Sequence, residues 1–192
     1  MISSISVFCA SSQKVDPIYL HAAYELGELF SQNRINVYYG GGALGLMGKL
    51  ADTMLNKEGK ITGIIPSFML EQGWGHPDID HIVVRDMHER KKKLAEYGNA
   101  LVALPGGVGT IEELLEMITL KQLGRILSPI VIININAFFD PLLRLFEQMI
   151  EQHFMREIHR NIWTVIKKPS EVLEAINNAP KWDGTAIKYA PV

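Results

Sequence analysis

The segment with the most obvious chemistry is a glycine-rich run that leads directly into two glutamates. Residues 105–113 read PGGVGTIEE and follow the apolar stretch 100–104. Glycines let backbone N–H groups face an anion with no Cβ in the way. A helix that starts here adds unpaired N–H donors and the positive end of its dipole. The segment therefore predicts a phosphate-binding loop, with the hydroxyl of Thr110 as a further donor.

The two glutamates, Glu112 and Glu113, have two interpretations. An acidic side chain in the first turn of a helix stabilises its dipole by about 0.3–1 kcal/mol, which is a purely structural role. A carboxylate beside a bound sugar can instead take part in chemistry. Adjacent helical residues point about 100° apart, so at most one of the two faces a ligand squarely. For Glu112 both interpretations stay open.

A second glycine-rich run, GGGALGLMG at 40–48, also joins a strand-like segment to a helical one. Its backbone is equally suited to a phosphate, with Gly41 and Gly42 as the candidate contacts. The spacing also fits a dinucleotide-binding fingerprint, but the next strand ends at Pro66 with no acid to hold a ribose. A kinase-type loop fits poorly because Leu50 stands where a magnesium-binding hydroxyl is needed. The remaining alternative is a tight turn with close helix packing.

A basic run, MHERKKK at 87–93, precedes the strand that carries the 105–113 segment. The usual interpretation of such a run is a solvated helix face, and three consecutive lysines cannot all face one site. We single out Arg90 and Lys91 because they lie near the start of the helix that leads towards the glycine-rich loop. An arginine there can fork onto a phosphate or stabilise charge in a transition state. For Arg90 the solvated alternative stays open.

Strand-like and helical segments alternate along the chain, and they must position these residues. Strands are predicted at residues 2–8, 35–39, 61–65, 81–84, 100–104, 130–133 and 162–165. Helices are predicted at residues 17–30, 44–55, 87–97, 110–123, 141–153 and 170–176. The fourth helix is expected to be capped near Thr110 and closed by Gly124, and the last is expected to be capped by Ser170.

This alternation predicts an α/β fold with a Rossmann-like, doubly wound sheet that is mainly parallel and has helices on both faces. Ligands bind such sheets at the carboxyl ends of the strands, where both glycine-rich runs fall. We expect a single nucleotide-binding domain over residues 1–180 and a loose C-terminal tail over residues 181–192.

Composition excludes several classes of protein. The formal net charge of −2 over 192 residues provides no basic field for nucleic acid or a membrane surface. The longest apolar stretch, 129–139, is interrupted by Asn134 and Asn136 and is too short to span a bilayer. One cysteine cannot form an internal disulfide, and the N-terminus lacks the basic start of a signal peptide. We therefore expect a cytoplasmic location, and the scattered histidines predict neither a metal site nor a cofactor.

Together, the motifs resemble those of the "lonely guy" (LOG) family. The matching segments are YGGG and GLMG within 39–48, MHERK at 87–91 and PGGVGTIEE at 105–113. Members are cytokinin riboside 5′-monophosphate phosphoribohydrolases, and bacterial members often hydrolyse AMP as well. The resemblance extends over nearly the whole chain, and the combination of motifs is far more specific than any one of them.

The resemblance implies a role for each matching residue. The catalytic arginine and glutamate of the family match Arg90 and Glu113. Its nucleotide-binding positions match residues of the two glycine-rich runs and of the two helices nearby. These residues are Gly41, Gly42, Arg90, Lys91, Gly106, Gly107, Val108, Gly109, Thr110, Ile111, Glu112 and Thr119. Members are typically dimers with the active site near the interface, so a homodimer is expected here too.

The reaction that the resemblance implies is hydrolysis of the N-glycosidic bond, which gives a free base and ribose 5-phosphate. Such cleavage passes through an oxocarbenium-like state, which a carboxylate close to the anomeric carbon stabilises. Glu113 is expected to be that carboxylate, Arg90 is expected to stabilise the departing base or hold the sugar, and no metal is required. The sequence leaves open whether adenine or an N6-substituted adenine is preferred.

Two departures from the family pattern concern the recognition of base and ribose. Ala10 stands where members often have a glycine, and Gly73 stands where many carry a glutamate that contacts the nucleotide. Two other functions stay in competition. One is a non-catalytic nucleotide or cofactor carrier, as in Rossmann-like molybdenum-cofactor carriers. The other is lysine decarboxylation, for which the sequence offers no convincing Schiff-base lysine.

Overall fold

A computed structural model describes residues 2–189 of the protein. Its centre is a seven-stranded sheet in the order β4-β3-β2-β1-β5-β6-β7, and every neighbouring pair of these strands is parallel. The strands are β1 (Ser4–Phe8), β2 (Asn36–Tyr39), β3 (Ile61–Pro66), β4 (Asp80–Val84), β5 (Ala100–Ala103), β6 (Ile130–Ile133) and β7 (Trp163–Ile166). The predicted α/β class and parallel sheet are confirmed.

Helices connect the strands. They are α1 (Pro17–Gln32), α2 (Gly45–Asn56), α3 (Ser67–Glu71), α4 (Met87–Tyr97), α5 (Val108–Gln122), α6 (Asp140–Glu151) and α7 (Val172–Asn177). Short 3₁₀ turns at Ile135–Ala137, Glu157–Ile162, Pro169–Glu171 and Gly184–Tyr189 complete the chain. No helix among residues 2–189 is both long and apolar enough to cross a bilayer.

Both faces of the sheet are covered, because the side chains of a strand alternate between them. Along β5, Val102 belongs to one apolar cluster and Leu101 to the other. The first cluster includes residues of α1, α2 and α7, and the second includes residues of α4, α5 and α6. The central strands are therefore buried on both sides, which explains why β5 and β6 consist of apolar residues alone.

The connections reverse direction between β1 and β5. The chain leaves β1 through α1 on one face to reach β2, and it leaves β5 through α5 on the other face to reach β6. Such a switch point opens a crevice at the carboxyl ends of the two strands, and the fold thereby positions the loops of interest side by side.

Two predicted helix starts are wrong. Helix α5 begins at Val108 rather than Thr110, and its N-cap is Gly107, which provides no side-chain hydrogen bond. Glu112 and Glu113 therefore lie beyond the first turn, which removes the dipole explanation for both. Ser170 does not cap the last helix, because α7 starts at Val172 after a 3₁₀ turn. Gly124 does end α5, with a left-handed φ of 65°.

Part of the predicted tail packs against the domain. The indole N–H of Trp182 donates to the carbonyl of Lys121 at 2.6 Å, and the ring joins the second apolar cluster. Ala186 is buried as well. Residues 190–192 of the predicted tail lie outside the described residues. The docking of Trp182 extends the core beneath the end of α5.

We predict that Trp182→Ala destabilises the fold. Loss of a partly buried indole and of its hydrogen bond is expected to lower the free energy of unfolding by about 2–4 kcal/mol, measured by urea denaturation. Ile187→Ala, at an exposed position of the same segment, serves as the control. Equal stability of the Trp182→Ala variant and the wild type would contradict the docking seen here.

Candidate active site

A cleft of about 640 Å³ opens at the switch point. Its walls come from the loops that follow β1, β2, β3 and β5, together with α4 and α5. The two glycine-rich runs and the Arg90–Glu113 pair, which were singled out separately in the sequence, therefore meet in one place.

The 105–113 loop presents an open helix N-terminus to this cleft. Gly107, Gly109 and Thr110 line it, and a Cβ added at Gly107 or Gly109 would meet no heavy atom within 4 Å. The first N–H groups of a helix have no partner within the helix, and here no side chain caps them. At Gly106 a Cβ would lie 2.1 Å from the Thr110 hydroxyl, so this glycine makes room for that side chain. The arrangement is suited to an anion.

The 40–48 loop differs, because its backbone is bonded to the rest of the chain. The carbonyl of Gly41 accepts from the N–H of His76 at 2.9 Å, and the N–H of Ala43 donates to the carbonyl of Trp74 at 3.3 Å. Gly42 forms an antiparallel bridge with Gly75. Gly42 lines the cleft, whereas Gly41 packs against β3 outside the lining.

The start of α2 is covered in the same way. The N–H of Met47 donates to the carbonyl of Ala10 at 3.1 Å, and a Cβ at Gly45 would lie 2.5 Å from the carbonyl oxygen of Ser12. The loop after β1 thus occupies the end of α2 where an anion would otherwise bind. Of the two glycine-rich runs, only 105–113 offers a free helix terminus among the described residues.

Arg90 and Glu113 form a buried ion pair in the cleft. Nη2 of Arg90 lies 3.3 Å from Oε1 of Glu113, and each side chain is only 6% exposed. Nη1 of Arg90 lies near the sulfur atoms of Met87 and Met69, at 3.6 and 3.9 Å. Nε of Arg90 has no hydrogen-bond partner. The buried Nε is therefore left without a compensating hydrogen bond, and Nη1 has only the weak sulfur acceptors.

Burial governs the protonation of the groups around this pair. It raises the pKa of Glu113, although the positive charge of Arg90 opposes that shift. Burial, reinforced by the charge of Glu113, also raises the pKa of the Cys9 thiol, which stays protonated at the floor of the cleft. A perturbed carboxyl next to a charged partner in a cleft is typical of a functional site.

Several residues that the resemblance assigned to nucleotide binding lie on a different surface. Lys91, Val108, Ile111, Glu112 and Thr119 line an open groove of about 510 Å³ on the outside of α4 and α5. Nζ of Lys91 lies 2.5 Å from Oε1 of Glu112, so this carboxylate is engaged outside the cleft. Val108 is 86% exposed. We call this surface the α4–α5 groove.

The structure also adds residues that the sequence interpretation did not select. Ser11 and Ser12 follow β1 and line the cleft, as do Met69 from α3 and Trp74 from the loop after α3. The rule that ligands bind at the carboxyl ends of strands points to the serines. Nothing local in the sequence points to Trp74.

A family model described as "Possible lysine decarboxylase" matches residues 47–176. A rice protein named "Probable cytokinin riboside 5'-monophosphate phosphoribohydrolase LOG4" is 38% identical over 179 residues, which are 93% of this chain and 78% of the rice protein. The chain belongs to the LOG family. An Arabidopsis thaliana protein named "Cytokinin riboside 5'-monophosphate phosphoribohydrolase LOG1" is 35% identical over 96% of this LOG-family chain and 87% of its own length. Membership supports a hydrolase function in general.

Solved structures with the same fold include proteins named for carrying or binding the molybdenum cofactor. The molybdenum cofactor carrier protein of Chlamydomonas reinhardtii covers 93% of this LOG-family chain and 98% of its own, with a TM-score of 0.71 and 18% identity. The molybdenum cofactor binding protein of Rippkaea orientalis gives a TM-score of 0.66, also at 18% identity, over 92% of this chain and 96% of its own. Likeness at this level of identity establishes the fold alone, which is Rossmann-like.

We predict that Gly40→Ala separates the ion pair. A Cβ at Gly40 would lie 2.2 Å from Nη2 of Arg90, so the guanidinium must move. Because Arg90 lowers the pKa of Glu113, its displacement is expected to raise that pKa further, measured by ¹³C-carboxyl NMR titration. The signal is assigned with Glu113→Gln. Gly184→Ala, where an added Cβ meets nothing within 4 Å, is the control, and an unchanged titration in Gly40→Ala would refute the prediction.

Proposed function

We propose that the protein hydrolyses the N-glycosidic bond of AMP or of cytokinin riboside 5′-monophosphates to give a free base and ribose 5-phosphate. The observation that carries this proposal is the convergence of a free helix N-terminus and a buried Arg90–Glu113 pair in one cleft. The two LOG relatives are named as phosphoribohydrolases of cytokinin riboside 5′-monophosphates, which supports the same class of reaction.

The substrate phosphate is assigned to the N-terminus of α5. The unpaired N–H groups there and the positive end of the helix dipole attract a dianion. The buried hydroxyl of Thr110 adds a donor, and the open space at Gly107 and Gly109 lets the phosphate approach the backbone. Anchoring the phosphate brings the sugar next to Glu113, which lies on the second turn of the same helix.

Glu113 acts on the sugar. As the C1′–N bond breaks, its electron pair leaves with the base and positive charge develops on the ribose. The carboxylate stabilises that charge more strongly than it stabilises the neutral sugar, which lowers the barrier. A water oxygen then bonds to C1′, and its proton passes to Glu113 and from there to the base. No other acidic side chain lines the cleft within residues 2–189.

Arg90 supports both steps. Its positive charge opposes protonation of Glu113, which keeps the carboxylate available. Its Nη1, which has only sulfur neighbours, is the donor that we assign to a sugar hydroxyl or to the departing base, whereas the unpartnered Nε is too deeply buried to reach a ligand. A guanidinium in this position therefore orients the substrate and disperses the charge that the base carries away.

The description of the family model, lysine decarboxylation, does not suit this cleft. That reaction normally uses pyridoxal phosphate bound to a lysine, and no lysine lies among the residues described as lining the cleft. A carrier function is the second candidate, because the molybdenum cofactor proteins show that this fold is compatible with ligand carriage. A carrier would bind the nucleotide and release no free base on long incubation.

We predict that Glu113→Gln lowers kcat for AMP by about 10²- to 10⁴-fold, the range for loss of an acid–base group. The dissociation constant for AMP, measured by calorimetry, is expected to stay close to that of the wild type. Release of free base is followed by chromatography. In the wild type, the rate is expected to fall as the pH drops through the pKa of Glu113, which lies above the ordinary value of 4.5.

Glu174→Gln is the matched control, because this exposed glutamate lies on α7, away from the cleft. Wild-type turnover by Glu113→Gln would overturn the catalytic assignment. Tight AMP binding by the wild type without any release of base would favour the carrier.

We also propose that the protein is a homodimer that uses the α4–α5 groove. Exposed Val108 and Leu115 lie there beside the charged Lys91 and Glu112, a mixture suited to a self-complementary interface. Leu115→Arg is expected to halve the mass measured by light scattering. Leu145→Arg places the same charge on exposed α6 and should leave the mass unchanged. A monomeric wild type would exclude this proposal.

A further inference from the structure

Trp74 is a large aromatic side chain that lines the cleft and is still 57% exposed. An aromatic side chain of this size contributes most when its apolar surface is covered. Leu44, which also lines the cleft, is 52% exposed, and exposed apolar side chains grouped beside a cavity commonly mark the place where a ligand docks. The position of Trp74 therefore calls for a partner that enters the cleft.

The backbone holds Trp74 in a fixed place. Its N–H donates to the carbonyl of Met69 at 3.2 Å, and its carbonyl accepts from the N–H of Ala43 at 3.3 Å. The following residue, Gly75, pairs with Gly42 in the antiparallel bridge. The indole is thus carried by a loop that is bonded to the 40–48 run, and stacking a ligand on it costs little ordering of the loop.

A buried histidine anchors the same loop to α2. Nε2 of His76 lies 3.0 Å from Oδ1 of Asp52, and Nδ1 of His76 accepts from the N–H of Asp78 at 3.3 Å. Because Nδ1 is an acceptor, Nε2 carries the hydrogen and donates to the carboxylate. The loop that carries Trp74 is therefore held by the 40–48 run on one side and by α2 on the other.

The rest of the lining is better suited to contact with the face of an aromatic base than to hydrogen bonding with the edge of the base. Three methionines, Met47, Met69 and Met87, line the cleft, and thioethers make favourable contacts with aromatic rings. The lining side chains described include no asparagine or glutamine, whose amide groups pair in bidentate fashion with the edge of an adenine. The ionised groups, Arg90 and Glu113, are those assigned above to the reaction at the sugar and the departing base.

We propose that Trp74 stacks on the base of the bound nucleotide and thereby selects purine over pyrimidine 5′-monophosphates. The inference rests on the proposed function, since it assigns the base of that substrate to a wall of the same cleft. A purine presents a larger π face than a pyrimidine, so a site that recognises its ligand by stacking favours purines. Trp74 is a specificity-determining residue and takes no part in bond cleavage.

The test compares Trp74→Ala with Trp74→Phe, using AMP as substrate and ribose 5-phosphate as a competitive inhibitor that lacks a base. Trp74→Ala is expected to raise KM for AMP by about 5- to 150-fold, the range for losing one base–aromatic stack. Its kcat and the inhibition constant of ribose 5-phosphate should stay within about threefold of the wild type. Trp74→Phe should retain most of the affinity. Phe68→Ala is the control, because Phe68 is exposed on neighbouring α3 and does not line the cleft.

An unchanged KM, or an equal rise in KM and in the inhibition constant, would overturn the proposal, because the second result means that Trp74 only supports the loop. A fluorescence titration with AMP separates this failure from that of the proposed function. AMP that quenches the wild type and not Trp74→Phe, without release of base, would refute hydrolysis and uphold the stacking. Absence of both quenching and hydrolysis would refute both proposals.

Discussion

The cleft depends on holding two opposite charges where little water reaches them. Withdrawing an ion from water has an effective cost of several kcal/mol, and mutual attraction offsets it only when the remaining donors and acceptors are also satisfied. Here Nε of Arg90 has no partner, and the pKa of Glu113 is raised. The pair is therefore incompletely compensated. Apolar residues of the same volume would serve stability as well, so the pair is better explained by chemistry than by folding.

The surrounding fold serves this pair. Strands β2 and β5 lie on either side of β1, and a glycine-rich loop follows each of them at the same edge of the sheet. Gly40 leaves room for the guanidinium, whereas Gly107 leaves the start of α5 uncovered. The two glycine-rich runs thus have different roles. The 40–48 run is hydrogen-bonded to a neighbouring loop, whereas the start of the helix in the 105–113 run faces open space.

Much of the fold was predictable from local patterns. Strands β5 and β6 are continuous apolar runs, and β6 has the predicted bounds. The five-residue α3 and the 3₁₀ turns are too short to show a helical period, and they were not predicted. Helix α5 begins earlier than expected because its first N–H groups need no partner within the helix, so the poor helix propensity of Gly109 matters little there.

The choice between adjacent candidate residues also has a basis in periodicity. Arg90 lies four residues before the buried Leu94, and Glu113 lies four residues before the buried Met117. Each therefore points inward, while Lys91 and Glu112 face the outer groove. Periodicity could not predict that the loop carrying Trp74 lies next to the 40–48 run. The bonds that place Trp74 join segments about thirty residues apart, and only the tertiary structure brings them together.

The uncapped N-terminus of α5 links ligand binding to the stability of the fold. Its leading amides belong to exposed residues, and under the proposed function a docked anion would supply the acceptors that no side chain provides. Ligand that binds only the folded form adds RT ln(1 + [L]/Kd) to stability, about 2.7 kcal/mol at a hundredfold excess over Kd. The same contacts that recognise the phosphate would then tighten the helix on which Glu113 is mounted, so the loaded molecule resists unfolding more than the empty one.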